Sequence, residues 1–221
     1  MITAHSGCDG TGMNTMEYLE HAVRTHVDAL EIDVRRAGDG RLVLGHDPAG
    51  EDTQLPLEVA FRFLADKAVR INCDMKHAGM ADDILDCAER CSVASSRIIF
   101  TGVIDAQMRR QTDARVFVNA EELMPEFNAP PVGPEAVAAL INRCKEAGYR
   151  TVNLDHRLCD GHLIPAFREA GISLSAWTVD DPDRIRALMQ SGVMNITTNL
   201  TAEALRAASE AAPPPPASAL R

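Results

Sequence analysis

Eight short apolar runs recur along the chain, each separated from the next by a longer stretch, and this alternation constrains the fold more than any other feature. The runs are Ile2–His5, Ala29–Val34, Val69–Lys76, Ile98–Thr101, Val116–Ala120, Thr151–Asp155, Ser173–Val179 and Asn195–Thr198. Runs of this length, rich in β-branched residues, read as strands. Most of the intervening segments carry helical periodicity. Asn14 with Glu17 forms a capping-box-like start, and Met16, Leu19, Val23 and Val27 line one face behind it. A second helix runs from Pro134 to Ala147 and stops at Gly148; another runs from Pro182 to Ser191 and stops at Gly192. Strands joined by helical crossovers pair in parallel. A doubly wound sheet uses the same alternation but rarely has eight evenly spaced units. Eight units within 221 residues predict an α/β fold of one domain, a TIM (β/α)8-barrel.

Two segments depart from this rhythm. Asp39-Gly40, between Val34 and Leu42, is a tight-turn signal, so Arg41–His46 is expected as a ribbon forming a short β-hairpin after strand 2. Near the C-terminus the run Pro213 to Pro216 has little that could pack. The expected organisation is a barrel over residues 1–208 and a Pro-rich flexible tail over 209–221.

Charge and cysteine usage exclude several function classes. A net charge of −10 argues against a nucleic-acid footprint, which needs clustered Lys and Arg. No apolar run approaches the ~20 residues of a membrane span, so no stable membrane insertion is expected. The six cysteines Cys8, Cys73, Cys87, Cys91, Cys144 and Cys159 form no C-x-x-C pair. They are expected as reduced, mostly buried thiols. Met1-Ile2 leads straight into strand-like sequence with no signal-peptide pattern, which makes the cytoplasm the expected location.

Charged residues then appear where a barrel strand should be apolar. In Ala29-Leu30-Glu31-Ile32-Asp33-Val34, Glu31 and Asp33 are two apart and share a face. In Ile71-Asn72-Cys73-Asp74-Met75-Lys76, Asn72, Asp74 and Lys76 share one face as well. Both groups fall toward the C-terminal ends of neighbouring strands, where barrel enzymes carry their sites. Three converging carboxylates repel one another unless a cation lies between them. An all-oxygen set favours a hard ion, Mg²⁺ or Ca²⁺. His5 ends the first strand and His46 ends the ribbon, so both are expected at the same mouth. Two imidazoles there can divide proton transfer, one taking a proton from the attacking oxygen and the other giving one to the leaving oxygen. Lys76 supplies fixed positive charge.

These residues resemble the glycerophosphodiester phosphodiesterase family over essentially the whole barrel, from about Ile2 to Ala204. His5-Ser6-Gly7 stands where the family has His-Arg-Gly, and Met13-Asn14-Thr15 where it has Glu-Asn-Thr. The run from Asp28 to Val34, then Asp39-Gly40, then His46-Asp47 is the closest correspondence; its Glu31-to-His46 interval of 15 positions agrees with the family. Asn72-Cys73-Asp74-Met75-Lys76 resembles the Glu-x-Lys strand. Ala176-Trp177-Thr178-Val179 resembles the Trp-Thr-Val segment, and Gly192-Val193 through Thr198-Asn199 the closing Gly-Val and Thr-Asp. The resemblance implies a divalent cation, Mg²⁺ or Ca²⁺, held by Glu31, Asp33 and Asp74, with His5 and His46 as the acid/base pair. It also implies that Lys76 and Ser6 contact the phosphate and that Trp177 walls the alcohol pocket. The implied reaction splits a small-molecule phosphodiester, a glycerophosphodiester, into an alcohol and a phosphomonoester. This chain departs from the pattern at Ser6, Met13, Asp74 and Asn199, where the family has Arg, Glu, Glu and Asp.

Two other readings fit parts of the pattern. A phospholipase D-like enzyme on the same barrel predicts a broad apolar mouth, and the loops hold no cluster of Trp, Phe and Leu. A non-catalytic metal- or anion-binding barrel would keep the carboxylates but has no need of two proton carriers.

Overall fold

The computed structural model describes residues 1–48, 54–104 and 114–211. Its strands are β1 (Ile2–Ala4), β2 (Ala29–Arg36), β3 (Leu42–Leu44), β4 (Arg70–Met75) and β5 (Ile98–Gly102). They continue with β6 (Arg115–Val116), β7 (Val118–Asn119), β8 (Thr151–Asp155), β9 (Ser173–Trp177) and β10 (Asn195–Thr198). The helices are α1 (Met16–Arg24), α2 (Leu57–Leu64), α3 (Ala81–Arg90), α4 (Ala120–Leu123), α5 (Pro134–Ala147), α6 (Leu163–Glu169), α7 (Pro182–Gln190) and α8 (Thr201–Ala211). All eight expected runs contain a strand.

The sheet runs in the order β6-β5-β4-β2-β1-β10-β9-β8-β7, with every neighbour on that path parallel. Its two ends, β6 and β7, are successive pieces of chain separated only by Phe117. The Phe117 N–H donates to the Phe100 carbonyl at 2.9 Å, so the ring closes through one interrupted strand. Counting β6 and β7 as that one strand leaves eight barrel positions, and the TIM-barrel expectation holds. β3 lies off the ring, antiparallel to β2 with Val34 opposite Leu44 and Arg36 opposite Leu42. Gly40 takes φ +89 in the turn between them, the left-handed backbone the hairpin demands. α8 continues through Ala211, three residues past the boundary expected at 208. The Pro-rich run from Pro213 lies outside the described residues.

One helix start differs from expectation. Thr15, not Asn14, caps α1, its hydroxyl accepting from the Tyr18 N–H at 3.2 Å. Asn14 instead takes φ +57 and turns its side chain into the barrel mouth. Tyr18, Leu19 and Ala22 form the buried face of α1. α5 starts on Pro134 and ends at Gly148, whose φ of +74 makes a left-handed C-cap.

The apolar core lies mainly between the strands and the surrounding helices, with Leu30, Ile32, Ile71, Cys73 and Phe100 all buried there. The faces bearing Glu31 and Asp74 are organised differently. Ala29, Ile99 and Phe117 form a separate small apolar cluster at the N-terminal ends of the strands, backed by Met1 and Met194. Beyond it comes a buried polar layer. Thr3 donates to Asn195 Oδ1 at 2.8 Å and Asn195 donates to Ser175 Oγ at 2.9 Å, while Asn72 Oδ1 lies 3.1 Å from the Thr101 hydroxyl. These groups satisfy one another, which is the condition for keeping polar atoms out of water. The carboxylates stand one step further along the same faces, at the C-terminal rim. All six cysteines are free and buried, as expected. Among the described residues no helix is long and apolar enough to cross a membrane.

Candidate active site

The parallel register fixes the first part of the site. Glu31 stands opposite Asn72, and Asp33 opposite Asp74, so two adjacent strands deliver their acids at the same height. Carboxylate oxygens of Glu31, Asp33 and Asp74 lie within 4.8 Å of one another, close enough to share one cation. Lys76 lies two positions beyond Asp74 on the same face. Its ammonium contacts Asp33 Oδ1 at 2.6 Å and also pairs with Asp74 Oδ2.

Each aspartate has its second oxygen held by a neutral donor. Asn14 Nδ2 donates to Asp33 Oδ2 at 2.7 Å, and the Thr101 hydroxyl donates to Asp74 Oδ1 at 2.9 Å. Asn14 is locked in place because the Asp33 N–H donates back to its Oδ1 at 3.0 Å. The backbone of Glu31 is pinned by Tyr18, whose hydroxyl donates to the Glu31 carbonyl at 2.7 Å and accepts from its N–H at 3.1 Å. Gly102 sits beside Asp74 with φ +76; a Cβ there would come 2.3 Å from the Met75 carbonyl and 2.8 Å from Asp74 Oδ1. Only glycine fits that close approach.

Electrostatics follow from this crowding. Burial, and then the charges of Asp74 and Asp33, hold the Glu31 carboxyl well above the usual carboxylate range; Lys76 offsets part of this. Burial would lower Lys76, but its contacts with Asp74 and Asp33 outweigh that and keep it above the ordinary lysine value. The three acids therefore stabilise a positive charge between them, and their all-oxygen chemistry fits a hard divalent ion.

These groups line a cavity of about 240 Å³ together with His5, His46, Thr101, Asn119, Glu121, Asn153, Trp177, Thr178 and Thr197. His5 follows β1 and its N–H donates to the Thr198 carbonyl at 2.9 Å; its Nδ1 is buried without a partner. His46 follows β3. Its carbonyl accepts from Arg35 at 2.8 Å, and its exposed ring meets Asp47 Oδ1 at 3.1 Å. Trp177 ends β9, with Nε1 buried and unpartnered.

Ser6 is the expected site residue that the structure places elsewhere. It is 2% exposed, is absent from the cavity lining, and its Oγ accepts from the Asn14 N–H at 2.8 Å. A serine is short enough to fold back onto the following loop, where it orients Asn14. Met13 points to solvent at 51% exposure and adds nothing to the cage. Asn199 receives a carboxylate from its neighbour: its N–H and Nδ2 donate to Asp180 at 2.7 and 3.0 Å. Sequence reasoning missed Thr101, Asn119, Glu121, Asn153 and Thr197 on the cavity wall. Strand parity was the available signal for Thr101, two positions after Ile99 on an inward face; Glu121 lies on α4 and carries no strand pattern.

The glycerophosphoryl diester phosphodiesterase family profile matches residues 5–54, the segment that carries His5, Glu31, Asp33 and His46. A glycerophosphodiester phosphodiesterase of Arabidopsis thaliana is 26% identical over 247 residues, covering 90% of this chain and 70% of its own. The chain is similar to glycerophosphodiester phosphodiesterases over most of its length. Solved structures agree on the fold. A glycerophosphodiester phosphodiesterase from Parabacteroides distasonis superposes with a TM-score of 0.73 at 18% identity, covering 96% of this chain and 98% of that one. An Oleispira antarctica phosphodiesterase, solved with the product sn-glycerol-3-phosphate, gives 0.73 at 15% identity over 95% and 96%. Against the pattern it resembles, this chain diverges at Ser6, Met13, Asp74 and Asn199.

Proposed function

We propose that this protein hydrolyses a glycerophosphodiester to an alcohol and a phosphomonoester, sn-glycerol 3-phosphate for the standard substrate. The observation that carries the reading is the convergence of Glu31, Asp33 and Asp74 within 4.8 Å in a cavity that also takes in His5, His46 and Lys76. The names and product of its relatives support the same substrate class.

Glu31, Asp33 and Asp74 would hold one divalent cation, Mg²⁺ or Ca²⁺. When bound, that ion supplies Lewis-acid polarisation of a phosphoryl oxygen. Asn14 and Thr101 keep the two aspartates from turning away, and Lys76 adds a positive charge for the diester. Water attacks phosphorus, forming one P–O bond as the bond to the alcohol breaks. One of His5 and His46 accepts the water proton, and the other donates a proton to the departing oxygen.

The test is turnover of glycerophosphocholine and bis(p-nitrophenyl) phosphate, with and without Mg²⁺ or Ca²⁺. Hydrolysis that needs the ion is expected. No turnover of either diester at any ion concentration would instead favour a binding barrel.

A further inference from the structure

The rim of the barrel divides into two arcs. β2 and β4 carry the metal-type carboxylates and Lys76, while β7, β8 and β9 carry Asn119, Asn153 and Trp177 on the opposite side of the ring. Glu121, in the first turn of α4 directly after β7, lines that second arc. Asn119 and Asn153 satisfy each other, with Asn153 Nδ2 donating to Asn119 Oδ1 at 2.9 Å. Glu121 does not share in this. Its Oε2 is buried with no hydrogen-bond partner, and the Trp177 Nε1 on the same wall is also unpartnered. A buried carboxylate oxygen left without a donor is costly unless something arrives to satisfy it. Nothing in the hydrolytic scheme uses it.

The arc's chemistry specifies the arrival. A carboxylate and an indole lining one arc of a cavity suit a cation, the first by charge and the second by its aromatic ring. Charge balance points the same way. With a divalent ion bound, ionised Glu31, Asp33, Asp74 and Glu121 are balanced by the ion, Lys76 and the histidine that carries the proton for the leaving oxygen. A diester with a neutral alcohol would bring the cavity to −1, whereas one carrying an ammonium adds no net charge.

We propose that Glu121 is a specificity-determining residue that takes the ammonium of a zwitterionic phosphodiester's alcohol group, with Trp177 walling the same subsite. This rests on the phosphodiesterase reading above. Glu121 would meet the departing alcohol from the arc opposite β2 and β4, so its effect depends on the headgroup.

The experiment compares kcat/KM for glycerophosphocholine and glycerophosphoethanolamine with that for glycerophosphoglycerol, in the Mg²⁺-loaded wild type and in Glu121→Gln. The variant is expected to lose about ten- to a hundredfold on both zwitterions: with glycerophosphoethanolamine a charged hydrogen bond is removed, and with glycerophosphocholine, whose quaternary ammonium has no N–H, a close ion pair. It should stay within about twofold of wild type on glycerophosphoglycerol, which also reports intact folding. Equal loss on all three substrates, or a raised Mg²⁺ requirement with each, would overturn the proposal and place Glu121 with the metal ligands. Unchanged kcat/KM on the zwitterions would overturn it as well. Calorimetric binding of glycerophosphocholine separates the two levels of argument. If the wild type turns over no diester, the hydrolytic reading fails, while a wild-type affinity that falls about tenfold in Glu121→Gln still upholds the subsite and an equal affinity ends it.

Discussion

Asn14 and Asp33 hold each other at both ends: the Asn14 amide donates to Asp33 Oδ2 at 2.7 Å, and the Asp33 N–H returns a bond to Asn14 Oδ1 at 3.0 Å. The pair ties the loop after β1 to the middle of β2. It leaves Asp33 a single oxygen free to face Lys76 or a cation. Asn14 achieves this from a left-handed backbone, φ +57, a conformation asparagine tolerates better than most residues.

Asn14→Ala should therefore act on both stability and ion binding. It strands a buried carboxylate oxygen, a loss of about 1–3 kcal/mol in folding free energy. Denaturant melts check the first effect. Calorimetry with Mg²⁺ checks the second, where severalfold weaker binding is expected; a variant matching wild type in both would remove Asn14 from the supporting role assigned to it.

Glu31 gives a signed pH dependence. Its carboxyl is raised well above 4.5 by burial first, then by Asp74 and Asp33. Between 4.5 and that raised value the folded chain keeps a proton that the unfolded chain has released, so metal-free stability falls as pH climbs through the window. A cation that displaces this proton binds more strongly over the same window. Melts from pH 5 to 8 should show Mg²⁺-induced stabilisation growing with pH, reaching about 2.7 kcal/mol at a hundredfold excess over Kd. Glu31→Gln should be more stable than wild type without metal at the alkaline end, and gain little from Mg²⁺.

His5 and His46 can be told apart by leaving group. His5→Ala and His46→Ala should each reduce glycerophosphocholine hydrolysis by about 10²–10⁴-fold while Mg²⁺ still binds. p-Nitrophenolate departs without needing a proton. The variant lacking the general acid should recover most of its rate on bis(p-nitrophenyl) phosphate, and the variant lacking the base should not. Recovery in both variants, or undiminished activity in either, contradicts the division of labour.

Asp9 braces the closure of the barrel from outside the cavity. It accepts from the Thr201 N–H at 3.1 Å and from the Thr201 hydroxyl at the start of α8, and it meets His21 of α1 at 2.8 Å. Burial opposes its ionisation, but the bonds from Thr201 and His21 prevail and hold its carboxyl below 3.8. Its contribution is present above 3.8 and disappears as pH falls through the folded value. Asp9→Asn should lower stability by about 1–2 kcal/mol at pH 7 and narrow the gap to wild type in acid, as followed by urea melts.

Much of this was readable from residue order. The eight apolar runs located every barrel strand, and the Asp39-Gly40 turn located the hairpin. Parity within β2 and β4 correctly placed Glu31 with Asp33 and Asp74 with Lys76. Two readings outside the strands came out differently. Ser6, expected at the phosphate from its place in the family's His-Arg-Gly, lies outside the cavity lining with its Oγ accepting from the Asn14 N–H. Asn14 looked like a helix cap, and the neighbouring Thr15 caps instead.

By itself the sequence determined the barrel, the identity of the three acids, and the two histidines, because strand periodicity and residue type are local properties. Which groups face one another was decided only by closure of the ring. Parallel register set Asp33 beside Asp74 across two strands far apart in sequence, and the return of the chain through β7 and β9 brought Glu121 and Trp177 to the same cavity. Local sequence cannot encode such meetings, since they depend on which strands pair and at what offset, and a one-residue shift would turn the strand residues among these side chains to the other face.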